Sequence, residues 1–405
     1  MIPNILEHFS HLKDPRRDHT TKLHKLIDII VIVLCAVLAK SDTWEEIADY
    51  ADEKQDFFKS FLELPNGIPS HDTINRTFAL LDPILWQHSF ITWMQSLNAE
   101  HAQRIKDVLI DGKVLRGAKS SGTGKRRNQP KEPAVEIVSA WSSERQLVIG
   151  QVTVESTSNE IKAVPILLKQ LDLEDTVVSL DAMGCQKEIT DMIIEQGGDY
   201  LVSLKGNQGN LHQAAQDLFL DTQNNTTGLY ETPDTTSSFD VAHGREESRT
   251  CFVLKDLTQL TVADCHVESW RNLKSLIVIE SSTVRQGKHS SERRFYLSSA
   301  NWSAGEALAR VRGHWSIERE QPARCCLVSK KNQQHYVLDV VFREDSSRSR
   351  RGFAAQNLAL VRRLALNLLN LDVGLKISKR RKRLRCLLQD DYLLSVLGIS
   401  VPVKT

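Results

Sequence analysis

Two short stretches of the chain place a carboxylate at the end of an apolar run. Val108, Leu109 and Ile110 lead into Asp111 and Gly112, with Lys113 and Arg116 just beyond. Val177, Val178, Ser179 and Leu180 lead into Asp181, followed by small residues and then Lys187. Runs of this kind predict enclosed strands, with the Asp standing where each strand ends and Gly112 opening a turn. A carboxylate so placed is costly unless a metal or a basic partner shares the site. Taken alone, Asp111 is an ordinary Asp-Gly turn. The repetition changes the reading, because a two-metal phosphoryl-transfer site needs one carboxylate to bridge the ions and others to flank them. A third acidic group must then return to the sheet edge from later in the chain. Glu318 can supply it from a predicted helix, with Arg312 less than two turns before it and able to reach a phosphate. Read by itself, Glu318 is an ordinary solvated helix charge.

The elements that must position these groups are legible as changes of period. Residues 1–100 read as a helical domain: Leu26, Ile29, Ile30, Val33, Leu34 and Val37 recur at helical spacing. Asp42 or Thr43 can cap a helix through Glu45 and Glu46. Pro65 to Pro69 forms a turn, and Ser70 starts a further helix. This domain is a candidate for DNA binding, although its pattern does not establish a helix-turn-helix. Residues 101–371 read as a catalytic domain, with strands at 108–110, 135–141, 147–154, 177–180 and 201–204 and helices at 161–171 and 189–196. Strands in antiparallel order followed by strand and helix alternation predict a mixed α/β sheet covered by helices. A loop-rich, β-rich insertion spans about 206–300, with strands at 249–254, 274–280 and 294–298. Trp270 within it either stacks a flipped base or belongs to a core. Helices resume at 304–317 and 354–371, and residues 372–405 form a basic C-terminal tail.

The chain has 405 residues, enough for two or three domains, and a formal net charge of +1. That balance hides basic clusters at 376–385 and around Lys125, Arg126 and Arg127, which read either as phosphate-neutralising patches or as solvated faces. The 7 cysteines are scattered, with no CxxC pair and no zinc spacing, which fits reduced thiols in a cytoplasm rather than a disulfide framework. No signal peptide is seen. The apolar run 26–39 contains Asp28 and is too short to span a bilayer, so a buried helix and no membrane partner are expected.

Assembled in order, these motifs resemble those of the bacterial insertion-sequence transposases of the H-repeat-associated protein group, a branch of the DDE transposases. The matching segments are Trp44 to Ile47, Gly67 to Thr73, Ile110 to Lys113, Ser158-Asn159-Glu160 and Asp181 to Lys187. They continue with Gly197 to Tyr200, Lys205 to Gln208, His243 to Glu246, His314 to Glu318 and Leu338 to Asp345. The resemblance covers nearly the whole chain. It implies an RNase H-like core interrupted by a β-rich insertion, with Asp111, Asp181 and Glu318 as the catalytic, metal-binding triad for Mg²⁺ or Mn²⁺. It implies as partners the DNA ends of the chain's own element and a target DNA, and homo-oligomeric assembly on them. Lys113, Lys187, Lys205, His243, Arg245 and Arg312 are candidate DNA contacts, each also readable as a structural or solvated charge.

One departure falls at the most sensitive place. In the family pattern the helix bearing the glutamate runs directly into the Leu-Asp-Val segment. Here residues 319–331 intervene, and Pro322 cannot sit in a helix interior. Either the helix ends soon after Glu318 and 319–331 loop out, or the later segment keeps the packing and presents Lys331 where a cation opposes metal binding. The first is favoured, because residues 312–317 also match. Both predict activity below that of an uninterrupted relative. A catalytically impaired DNA-binding remnant and a general metal-dependent nuclease are the alternative functions.

Overall fold

In this computed structural model of the chain, the described residues are 5–17, 22–100, 105–118, 135–154, 159–224, 230–242, 245–262, 267–314 and 334–399. The N-terminal region is helical: α1 (Ile5–Ser10), α2 (Leu26–Leu38), α3 (Trp44–Glu53), α4 (Gln55–Lys59), α5 (His71–Leu80) and α6 (Pro83–Glu100). The apolar helix α2 is buried on almost every face, with only Ile27 half-buried. Its Asp28 is tolerated because the Leu64 N–H donates to it at 3.2 Å, although burial still holds its carboxyl above the usual range. Thr43 starts α3 with a reciprocal capping box to Glu46, and Ser70 caps α5 through the Thr73 N–H. Among the described residues, no helix is long and apolar enough to cross a membrane.

β1 (Asp107–Val114), β2 (Glu136–Ser142) and β3 (Leu147–Val154) form an antiparallel meander. Then α7 (Glu160–Leu168), β4 (Val177–Leu180), α8 (Lys187–Glu195) and β5 (Asp199–Leu204) alternate, so that β4 lies parallel to both β1 and β5. After α9 (Gly209–Asn224) come β6 (Asp234–Ala242), β7 (Arg245–Leu254), α10 (Thr258–Val262), β8 (Ser275–Arg285) and β9 (Lys288–Ser298). Among the described residues, nine strands join one sheet in the order β3-β2-β1-β4-β5-β9-β8-β7-β6. This is a mixed α/β fold of the RNase H-like class behind a helical N-terminal region.

The β-rich stretch is therefore an extension of the sheet, because β9 pairs with β5. Strand β6 occupies residues that read as loop. Its Thr- and Ser-rich sequence lacks the one-sided apolar alternation that marks a strand, and pairing with β7 holds it at the sheet edge. Trp270 is 2% exposed and lies in the core, which accounts for it without base stacking.

Later helices enclose the sheet. Ala304, Ala307, Leu308 and Val311 of α11 (Ala304–His314) pack on Val177, Leu201, Cys251 and Ile277. After α12 (Gln334–Tyr336) and a π-helical turn, Val337–Val341, comes α13 (Ala354–Leu371), whose Asn367 bonds both the N–H and the C=O of Val148 at 2.9 and 2.7 Å. These bonds close the outer edge of β3. The stretch read as a basic tail is built into the fold as α14 (Lys379–Leu388) and α15 (Asp390–Leu397). Lys382 reaches the carbonyls at the end of α13. Arg383, buried, bonds the Val37 carbonyl and Asp42, at 2.9 Å for the latter. These two cations complete helix ends; Arg380, Arg381 and Arg385 remain exposed.

Candidate active site

Ile110 pairs with Leu180 across the parallel β1–β4 ladder, so the next residues, Asp111 and Asp181, emerge side by side. Neighbouring strands stand only about 4.8 Å apart. The two-residue period puts Asp111 on the sheet face of Leu109 and Asp181 on that of Val177, the face covered by α11. Carboxyl ends of parallel strands are where open α/β sheets bind ligands. Asp181 follows the last residue of β4, and its Oδ1 accepts the N–H groups of Met183 and Gly184 at 3.0 and 3.1 Å.

Asp111 differs from expectation. β1 does not end there but continues to Val114, because β2 pairs with it as far as Val114 opposite Glu136. Gly112 is thus a strand residue, and the space left by its missing side chain is filled by the Glu160 carboxylate. Glu160 opens α7 behind the cap Asn159 and hydrogen-bonds Glu136. Burial, that hydrogen bond, and the charges of Glu136, Asp181 and Asp111 push its pKa up to about 8. Glu160 is therefore within electrostatic reach of Glu136, Asp181 and Asp111. In the sequence, Ser158-Asn159-Glu160 stands out only as a family-like segment. Its signal was the carboxylate after the N-cap, which by itself indicates a helix start.

On its other side Asp111 meets the segment that follows residue 333. Asp111 Oδ1 accepts the Gly112 N–H at 2.9 Å, and Oδ2 faces Nδ1 of His335 at 3.5 Å, long for a hydrogen bond. Burial, with Lys113 and Arg363 nearby, holds His335 down to about 4, so the imidazole is neutral at pH 7. His335 lies in the segment where the family pattern returns after the interruption, with no role assigned to it there, and packing sets its place beside Asp111.

Lys113, a candidate DNA contact, is 7% exposed and held by Asp339 at 2.6 Å, Asp345 at 3.0 Å and Glu344 at 3.4 Å. Burial pulls its pKa down, but the three carboxylates outweigh this and hold it above the ordinary value. Lys113 is thus the pin that ties β1 to the π-helical turn. Arg312 is paired with Asp240 of β6 at 3.0 Å, and Arg245 with Glu247 at 3.0 Å. Lys187 opens α8 half-buried, and Lys205 is exposed after β5. Arg245, Arg312 and Lys113 are thus each paired with carboxylates. His243, Glu318, Lys331 and the 319–331 interruption lie outside the described residues, as do Lys125, Arg126 and Arg127. Both flanks of that interval are tied to β1, by the Arg310–Asp107 ion pair before it and by the His335 and Lys113 interactions after it.

The chemistry of the donors suits a hard divalent cation, since carboxylate oxygens are what Mg²⁺ and Mn²⁺ take. Burial first, and then the neighbouring carboxylates, raise Glu160, and a cation among these groups would relieve the repulsion. Among the described residues, no group of three His, Cys, Asp or Glu side chains is arranged to hold an ion. Asp111 and Asp181 are the candidates for two of the positions, and Glu318 is the candidate for the third.

Comparison with known proteins bears on the whole chain. Residues 6–94 match the family described as DDE_Tnp_1-associated, and residues 102–320 match the family described as Transposase DDE domain. Asp111, Asp181 and Glu318 all fall within the second match. YncI of Escherichia coli O157:H7 is 37% identical over 402 residues, covering 98% of this chain and 95% of its own. YhhI of Escherichia coli (strain K12) is 36% identical over 406 residues, 98% of each. Both carry provisional names as transposases, the second as H repeat-associated. On these matches the chain belongs to the DDE transposases, in their H repeat-associated group.

Proposed function

We propose that the chain is a metal-dependent DNA transposase that cuts at the ends of its own element and joins them to a target. The observation that carries this reading is the emergence of Asp111 and Asp181 from neighbouring parallel strands. Asp111, Asp181 and Glu318 would hold Mg²⁺ or Mn²⁺. The bound ions would supply an activated nucleophilic oxygen and stabilisation of the leaving oxygen. The chain's own part is positional. Gly112 and the Met183 and Gly184 N–H groups fix the carboxylate rotamers, and Lys113 pins β1 against the turn that carries His335.

The interruption favours a second reading, a DNA-binding remnant of impaired activity. The matched stretch of the Transposase DDE domain ends at 320, inside the departure from the family pattern. The test is Mn²⁺-dependent cleavage of supercoiled DNA carrying the element's ends, compared with random DNA. It uses the chain, a form lacking 319–331, and Asp111→Asn and Asp181→Asn. Cleavage at the ends by both the natural and the shortened form, abolished in each Asn variant, supports the transposase. Cleavage only by the shortened form supports the remnant, cleavage without end preference a general nuclease, and undiminished cleavage by both Asn variants refutes the triad.

A further inference from the structure

We propose that the loop 343–351 is a phosphate-contacting clamp for duplex DNA beside the catalytic strand, an inference that rests on the transposase reading. Arg343, Arg348, Arg350 and Arg351 are exposed along nine residues. The residues between them are anchored inward. Glu344 is buried, accepting Arg363 Nη1 at 2.8 Å and facing Lys113 at 3.4 Å. Ser349 is buried, and its Oγ accepts the Trp44 indole N–H at 2.6 Å. Gly352, at φ +47°, lies against the Ala79 carbonyl with no room for a Cβ, and the Phe353 N–H donates to the same carbonyl at 3.1 Å. Glu344 is thus fastened to α13, Ser349 to α3 and Phe353 to α5, while the arginines stand exposed. They fan out from a loop that touches Lys113, two residues past Asp111. Arg116, 80% exposed, stands beside them, because the Gly117 backbone is pressed against the carbonyls of Asp345 and Ser347. A merely solvated face would not need two buried polar anchors, Glu344 and Ser349. A rigid row of guanidinium groups suits phosphates, which accept their paired N–H groups, and its pre-organisation lowers the entropic cost of binding.

The test reads binding apart from cleavage, in full-length Asp111→Asn protein. Affinity for an element-end duplex and a random duplex is measured from 50 to 200 mM salt, with and without Arg348→Ser, Arg350→Ser and Arg351→Ser combined. Each arginine that no longer neutralises a phosphate should flatten log K against log salt by about 0.9, so about 2.7 for three. The weakening should be equal on both duplexes, the melting temperature unchanged, and the slope kept when the same three positions become Lys. DNA binding by the parent with an unchanged slope in the Ser variant overturns the clamp alone. A parent that binds neither duplex overturns the transposase reading and the clamp with it.

Discussion

The Glu160 carboxylate occupies the space above the Gly112 α-carbon, one residue from Asp111, so that a methyl group built on Gly112 would overlap it. Only glycine in the middle of β1 allows a helix-borne carboxylate this close to the aspartates. Gly112→Ala is expected to displace Glu160 at little cost in stability, because a side-chain end can move. A misplacement of about 1 Å is enough to lower cleavage roughly a hundredfold. Cleavage rates and melting temperature, measured on one preparation, check both halves.

Lys113→Met leaves the Asp339, Glu344 and Asp345 carboxylates without their shared cation. Removing one partner of a buried ionic cluster costs about 3–5 kcal/mol. Denaturant unfolding should show that decrease. A drop below about 1 kcal/mol would mean that Lys113 behaves as a surface charge, as a free DNA-contacting lysine would.

The Glu344–Arg363 pair, at 2.8 Å and fully buried, sets an acid limit. Burial raises the Glu344 pKa, but Arg363, Lys113 and Arg362 outweigh it and hold the group below its ordinary 4.5. The folded state therefore binds this proton less tightly than the unfolded chain. Its contribution is fully present above pH about 4.5 and is lost as pH falls through the lower folded value. Unfolding free energy followed from pH 7 downward should show a shallower acid decline in Glu344→Gln, from a lower starting point. An unchanged slope would remove Glu344 from that decline.

The basic residues of α14 divide by burial. Replacing exposed Arg380, Arg381 and Arg385 by Gln should change stability by no more than about 0.5 kcal/mol each. Arg383→Met should cost about 3 kcal/mol or more, because Asp42 is then buried unpaired. Equal effects from the two sets would contradict this division, and thermal melts are sufficient to tell.

Much of the architecture was written in periodicity. The run around α2, the Thr43 and Ser70 caps, the five core strands and the strand-borne Asp111 and Asp181 all follow from local patterns, because burial and helix capping act over a few residues. Sequence by itself also placed the chain in its family, through motifs spread over nearly its whole length. What only the tertiary structure decided concerns partners far apart in the chain. Lys113 is held by carboxylates 226 and 232 residues away, and Trp44 bonds Ser349 across 305. No local signal distinguishes a lysine bound for a carboxylate cluster from one bound for DNA. The same holds for Gly112, whose turn-like neighbourhood gave way to a strand because β2 supplied the pairing. It holds for Glu160, Arg383 and His335, whose charge state and role are set by burial against groups that sequence distance conceals.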